Sequence, residues 1–266
     1  MATRDMRGFD LNAAMAGLYG SGDYYVSVPA GPSEAEDDTY WTKSVDPDGN
    51  ERDRFAERDQ YVENIRPELA HIAALDPGRV LDIGCGPGWL LSAIDDAWDK
   101  HGVELSAAAA DHASQYGEIL VGPFENARYP DGSFDLIVMY HVIEHLPDPV
   151  GALRRARALL RPGGRAVIGT PDFDSGCARR FGNRYRMLHD PTHISLFSND
   201  SMHRCLRDNG LRIDGVEYPY FATQWFNREN LLRMLETGGI SPPFYGNFMT
   251  FYCTNDGSPG VPADTP

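Results

Sequence analysis

The densest run of chemically capable residues is Val80-Leu81-Asp82-Ile83-Gly84-Cys85-Gly86-Pro87-Gly88. Glycines at alternate positions let a ligand approach the backbone where a Cβ would stand in its way. A helix expected behind them would aim free N–H groups and a positive dipole end at an anionic group. Glu104 follows at the end of the next expected strand, where one carboxylate can accept hydrogen bonds from both hydroxyls of a ribose. Together these features describe a site for a nucleoside-containing cofactor. A turn that merely reverses the chain would not need the acid. The spacing also departs from the dinucleotide fingerprint G-x-G-x-x-G: the third glycine comes one residue early, and Pro87 occupies the turn.

A second group, His141-Val142-Ile143-Glu144-His145, spells H-x-x-E-H, the signature of a family of zinc hydrolases. That chemistry needs both imidazoles on one face of a stable helix, with a further ligand and a water. Here the motif leaves an apolar strand and meets Pro147, so zinc hydrolysis is disfavoured. Further along, His189 and His193 sit in a segment with Arg180, Arg184, Tyr185 and Arg186. It reads either as a cap that binds an anionic or hydroxylated substrate and supplies a base, or as a surface loop whose histidines fasten turns at Asp190-Pro191. A neutral imidazole titrates near working pH, so His141, His193, His145 and His189 are the candidate general bases, the first two ranked ahead. Phe221, Trp225, Phe226 and the run Pro242-Pro243-Phe244-Tyr245 form a second wall or, as aromatic clusters more often do, plain core.

These groups need a scaffold, and the pattern supplies one. Phe55, Val62, Ile65, Leu69 and Ile72 mark one face of a helix that Pro67 should kink or divide. Strands are then expected at 79–83, 101–105, 118–121, 134–140 and 165–170, alternating with helices at 89–100, 106–116 and 148–160. Asp148-Pro149 caps the last of these helices. Ser198 starts a further helix, ended by Gly210, and two strand-like runs follow at 211–218 and 247–253. Such alternation predicts an α/β fold with a mostly parallel sheet and helices on both faces. Residues 1–54 read as an N-terminal arm or lid, 55–254 as the main domain with cap insertions near 172–197 and 221–246, and 255–266 as a loose tail.

The 266 residues carry 24 Lys plus Arg against 39 Asp plus Glu, a formal charge of −15. A polyanion must be met by a basic footprint, so nucleic acid is not an expected partner. The longest apolar run falls short of the ~20 residues of a membrane helix, and Met1 to Asp10 does not look like a signal peptide. Four scattered cysteines, Cys85, Cys177, Cys205 and Cys253, suggest neither a zinc ribbon nor a disulfide framework. A cytoplasmic monomer or homodimer without membrane contact is the expectation.

In order and spacing, VLDIGCGPG (80–88), GVELS (102–106), PDGSFDLIVMYHVIEHLPDP (130–149) and LLRPGG (159–164) resemble the class I S-adenosylmethionine-dependent methyltransferases over roughly residues 55 to 215. The resemblance implies a Rossmann-like seven-stranded sheet whose last strand is antiparallel, with the cofactor over the carboxyl ends of the strands. Carried over by position, Gly84, Cys85 and Gly86 would line the methionine moiety, with Asp82 supporting that loop. Glu104 would hold the ribose, Leu105 would border the adenine, and Phe124 and Glu125 would flank it. Tyr140 and His141 would lie beneath the sulfonium, and an arm aromatic, Tyr40 or Trp41, would close over the cofactor. The implied activity is methyl transfer to a small-molecule acceptor, preferentially O-methylation of a sugar or secondary metabolite, as in antibiotic biosynthesis. N- or C-methylation, a nicotinamide oxidoreductase and a non-catalytic cofactor-binding regulator are the alternatives. No metal is expected, although some similar enzymes assist O-methylation with a divalent ion held through an E-x-x-E-H segment and a later histidine.

Overall fold

A computed structural model describes residues 6–31, 39–46, 48–219, 225–243 and 248–258. Its organising element is a seven-stranded sheet formed by β1 (Arg79–Ile83), β2 (Asp99–Glu104), β3 (Glu118–Val121), β4 (Phe134–Tyr140), β5 (Leu160–Pro171), β6 (Arg212–Glu217) and β7 (Phe248–Thr254). The spatial order is β3-β2-β1-β4-β5-β7-β6. Every neighbour pair is parallel except the two made by β7, which runs against both β5 and β6. The expected sheet, including its antiparallel last strand, is therefore present. The order reverses between β1 and β4, and a crevice opens at such a switch point beyond the strands' carboxyl ends.

Alternate side chains of the central strands feed two cores. Leu81, Ile83, Ile137 and Met139 face a helix at Pro149–Leu159 and another at Asn199–Asp208. Val80, Leu136 and Val138 face Ile65 and Ile72 on the opposite side. This two-sided burial explains the continuous apolar run of β4. The helices start where capping chemistry requires. Asp148 accepts from the Gly151 N–H, and Ser198 forms a reciprocal capping box with Ser201. The long early helix is divided as expected, into Arg58–Asn64 and Arg66–Ala73, with Pro67 in the first turn of the second.

The helix expected at 89–100 is not there. Residues 89–98 form separate turns, and β2 begins at Asp99. Two side chains compete with the helical ladder: Asp95 Oδ1 accepts from the Ala97 N–H at 2.7 Å, and Lys100 Nζ donates to the Ile94 carbonyl at 2.9 Å. Leu90, Ile94 and Trp98 are nonetheless buried, so their spacing reported burial correctly and helicity wrongly.

Arm and cap build a third core. A helix at Leu11–Leu18 buries Leu11, Met15 and Leu18 against Phe173, Cys177, Phe181, Tyr185 and Leu196. The short strand Val26–Ser27 pairs antiparallel with Ser195–Leu196. Of the supposed second wall, Phe221, Phe244 and Tyr245 lie outside the described residues, as does the tail from 259. Asn255 is buried, and its side chain donates to the Leu160 carbonyl at 2.9 Å.

Candidate active site

The glycine loop joins β1 at the switch point. Gly84 has φ +69°, and a Cβ there would come 2.5 Å from Val142 Cγ2. Gly86 has φ +52°, and its Cβ would come 2.8 Å from the Trp41 ring. Both positions thus require glycine for conformation and for space. The loop's N–H groups are already used. Those of Gly84 and Cys85 donate to the Val103 carbonyl at 2.8 and 3.2 Å, and that of Gly88 to the Cys85 carbonyl at 3.0 Å. The Gly86 N–H donates to Glu104 Oε2 at 2.9 Å. With no regular helix behind it, this loop does not supply the donors and dipole that a pyrophosphate needs, contrary to the dipole expectation. Two buried acids stand there instead.

Glu104, at the end of β2, accepts from the Ser106 N–H through Oε1 at 2.9 Å and from Gly86 through Oε2. Each carboxylate oxygen keeps a further lone pair for a ligand hydroxyl. Burial raises its pKa, opposed by those backbone bonds. Asp82 is pushed up to about 8, first by burial and then by the charge of Glu104. Leu105, next to Glu104 in the chain, and Val121 are 52% and 61% exposed. Val121 pairs in register with Glu104. Phe124 packs its ring into the main core and Glu125 is exposed.

From the arm, Trp41 rather than Tyr40 meets the loop. Trp41 lies against Gly86 and 6.2 Å from the Phe55 ring, while Tyr40 braces it edge-on at 5.0 Å. Arg54 lies over Tyr40 at 4.3 Å from the ring centre and donates its backbone N–H to the Trp41 carbonyl at 2.8 Å.

At the end of β4, His141 adopts φ +57°, the left-handed region unfavourable for a residue with a Cβ. Its N–H donates to the Gly169 carbonyl at 2.9 Å, and its ring meets those of Tyr140 and Phe248 at 4.5 and 4.7 Å. His141 Nδ1 lies 3.2 Å from Glu144 Oε1. Glu144 is fully buried, and Thr170 Oγ1 donates to its other oxygen at 3.1 Å. Burial would raise the Glu144 carboxyl, but the His141 hydrogen bond and the charges of His145, His141 and His193 outweigh it, leaving about 2. The segment Ile143–His145 is a single 3-10 turn, not the helix that zinc hydrolysis would need.

His145 and His193 face each other with ring centres 4.8 Å apart. His145 Nδ1 is 3.2 Å from the Thr192 carbonyl and His193 Nδ1 2.6 Å from that of Met187. A carbonyl only accepts, so both Nδ1 atoms carry protons, while His145 Nε2 lies 4.0 Å from Glu144 Oε1 and His193 Nε2 3.7 Å from Asp190 Oδ2. Among the described residues, Glu144, His145 and His193 bring ligand atoms within 4.8 Å of one another. His189 stands apart: it is exposed, with Nε2 3.1 Å from the Asn183 carbonyl. Arg180 and Arg184 donate to the carbonyls of Met234, Leu235 and Thr237, so they fasten the cap.

A methyltransferase-domain family model matches residues 52–216. A ubiquinone biosynthesis O-methyltransferase of Xanthomonas euvesicatoria is 32% identical over 216 residues, covering 74% of this chain and 86% of its own. An uncharacterised protein of a Streptomyces fradiae transposon is 38% identical over 115 residues, 38% of this chain, and the match spans 33% of that protein. Among solved structures, a chain of the complex between the Haloferax volcanii Trm112 methyltransferase activator and its methyltransferase aligns with a TM-score of 0.59 at 19% identity, over 76% of this chain and 92% of its own. The [4+2]-cyclase SpnF aligns with a TM-score of 0.56 at 18% identity, over 76% and 82%. These two likenesses speak for the fold alone.

Proposed function

The chain belongs to the methyltransferase-domain family, whose cofactor is S-adenosylmethionine, and from that premise we propose that it methylates an oxygen of a small hydroxylated acceptor of the sugar or secondary-metabolite type. The residues present fit this cofactor. Glu104 has lone pairs for the ribose, and Leu105 and Val121 offer an apolar shelf for the base. When bound, S-adenosylmethionine supplies a methyl group on a cationic sulfur, open to in-line displacement by a lone pair. The work left to the protein is alignment, exclusion of water and acceptance of a proton.

The observation that supports an oxygen acceptor is the dyad of His141 and Glu144. A buried, ionised carboxylate holds the His141 Nδ1–H, which fixes the tautomer and leaves Nε2 as the basic atom. The His141 side chain is 31% exposed against 8% for His193, so His141 takes the base role and His193 a supporting one. The curated relatives named as O-methyltransferases support the same atom. His141→Asn is expected to slow labelled methyl transfer to a hydroxylated acceptor by about 10²-fold, with a smaller effect on S-adenosylhomocysteine affinity. Transfer to amines but not hydroxyls would overturn the oxygen assignment, and absence of transfer to any acceptor would favour a cofactor-binding regulator. For the ribose role, Glu104→Ala should weaken S-adenosylhomocysteine binding about tenfold or more by calorimetry, since a charge-assisted bond is worth about 1.5–3 kcal/mol. Unchanged affinity would refute it.

One observation favours a second reading in which a divalent ion assists the same transfer. Two imidazoles and a buried carboxylate bring ligand atoms within 4.8 Å of one another, a donor set suited to a divalent ion such as zinc. Chelator-treated protein that loses activity and regains it with one such ion would establish this reading, and full activity after treatment would exclude it.

A further inference from the structure

Glu68 belongs to the helix Arg66–Ala73, whose Leu69 and Ile72 pack in one core with Tyr140, and it is 4% exposed. Its Oε1 accepts from Thr250 Oγ1 at 2.7 Å. Its Oε2 is buried and, among the described residues, has no hydrogen-bond partner. A buried acid left half unpaired is costly and is expected to have an explanation. Burial pushes the Glu68 carboxyl up, opposed by the Thr250 bond and by its own backbone N–H. Of the charges acting on it, that of Glu217 raises it further and that of His141 lowers it. The acid therefore feels the site around His141.

The sheet register says how far away it stands. Thr250 pairs with Gly169, and Gly169 with Tyr140, so the hydroxyl that holds Glu68 lies two strands, about 10 Å, from the end of β4. The Tyr140 ring leans over Gly169, where a Cβ would come 2.4 Å from it, and the Gly169 carbonyl takes the His141 N–H at 2.9 Å. With His141 Nε2 as the base, the acceptor oxygen lies within hydrogen-bond reach of that ring, and the sulfur that carries the methyl group lies just beyond. Two unit charges about 10 Å apart inside a protein interact strongly enough to change an affinity about tenfold, with no contact between them. S-adenosylmethionine is positively charged at that sulfur, and S-adenosylhomocysteine, its demethylated form, is not. We propose that the Glu68 carboxylate is a fixed counter-charge for the cationic sulfur, so that its field favours the methyl donor over the demethylated product. This rests on the methyltransferase reading above and adds to it a residue that selects by charge. Glu68 touches no ligand: it acts through space, and a donor on Oε2 would have offset its charge in advance.

The test measures both ligands by calorimetry, without an acceptor, on the parent and on two variants. Glu68→Gln keeps the shape and an acceptor for Thr250 but removes the charge, whereas Glu68→Asp keeps the charge. Glu68→Gln is expected to bind S-adenosylmethionine about tenfold more weakly than the parent and S-adenosylhomocysteine equally well, while Glu68→Asp stays close to the parent ratio of the two affinities. An unchanged ratio in Glu68→Gln overturns the proposal, as does an equal loss for both ligands, which would make Glu68 a structural residue only. A ratio in Glu68→Asp as low as that in Glu68→Gln overturns it too. If Glu68→Gln does not fold, Glu68→Met, of similar size and with no buried oxygen, is read by the same ratio. Failure of the parent protein to bind either ligand would instead bring down the cofactor reading, and this proposal with it.

Discussion

At the scale of single residues, the site is a set of acids kept in unlike states. Glu144 stays ionised because imidazoles surround it, while Asp82 stays neutral over much of the physiological range because nothing cationic offsets its burial. The two make opposite demands on pH. Asp82 has a folded-state value of about 8, above the ~3.9 of an unfolded aspartate. The stabilisation that its neutral form contributes is therefore complete below about pH 4 and is lost as pH rises through about 8. Glu144 is depressed, so its contribution is present above the ordinary glutamate value and is lost as pH falls toward about 2. Urea unfolding should show stability declining between pH 5 and pH 8, and Asp82→Asn should flatten that decline. An identical slope in the variant would assign the pH dependence to other groups. The turn at Gly84 and Gly86 was legible in the sequence because a chain that turns through the left-handed region after a strand needs glycine. The pairing of His145 with His193 was not, because it depends on how a cap segment without period folds back over Ile143–His145.

At the scale of elements, the sheet and its helix caps were legible and the internal structure of the covering segments was not. Apolar strands and capping residues act locally, so Asp148, Ser198 and the run from Phe134 to Tyr140 announce themselves. The stretch from Trp89 to Trp98 misled, because hydrophobic spacing reports which side chains are buried, while Asp95 and Lys100 decide whether the backbone closes its helical bonds. The arm's anchorage escaped for a further reason: its partners are distant in sequence. Asp48 at its tip accepts from Arg186 in one part of the cap at 3.1 Å and from Arg233 in another at 2.6 Å. These bonds anchor a short turn that lies seven residues along the chain from the ring covering Gly86. Asp48→Asn should speed the release of S-adenosylhomocysteine several-fold in stopped-flow experiments, more so at low salt where the parent pair is least screened, with little change in global unfolding. Release at the parent rate would show that the arm is held by its apolar core alone.

At the scale of the whole molecule, three cores share the labour: two sandwich the sheet, and one joins arm to cap. No helix among the described residues is long and apolar enough to cross a membrane. A ligand seated between sheet and lid binds only the folded chain. At one hundred times its dissociation constant, S-adenosylhomocysteine should add about 2.7 kcal/mol to the unfolding free energy, seen as a rise in melting temperature, whereas NAD at the same concentration should leave the melt unmoved. An equal rise with NAD would reopen the oxidoreductase alternative. The loop's spent N–H groups reach further than this choice of cofactor. ATP and ADP carry the same adenosine half and would compete for any pocket that recognised adenosine alone. With the N–H groups of Gly84, Cys85, Gly86 and Gly88 donating internally, the loop offers a polyphosphate no donors, so both nucleotides are expected to bind more weakly than S-adenosylhomocysteine.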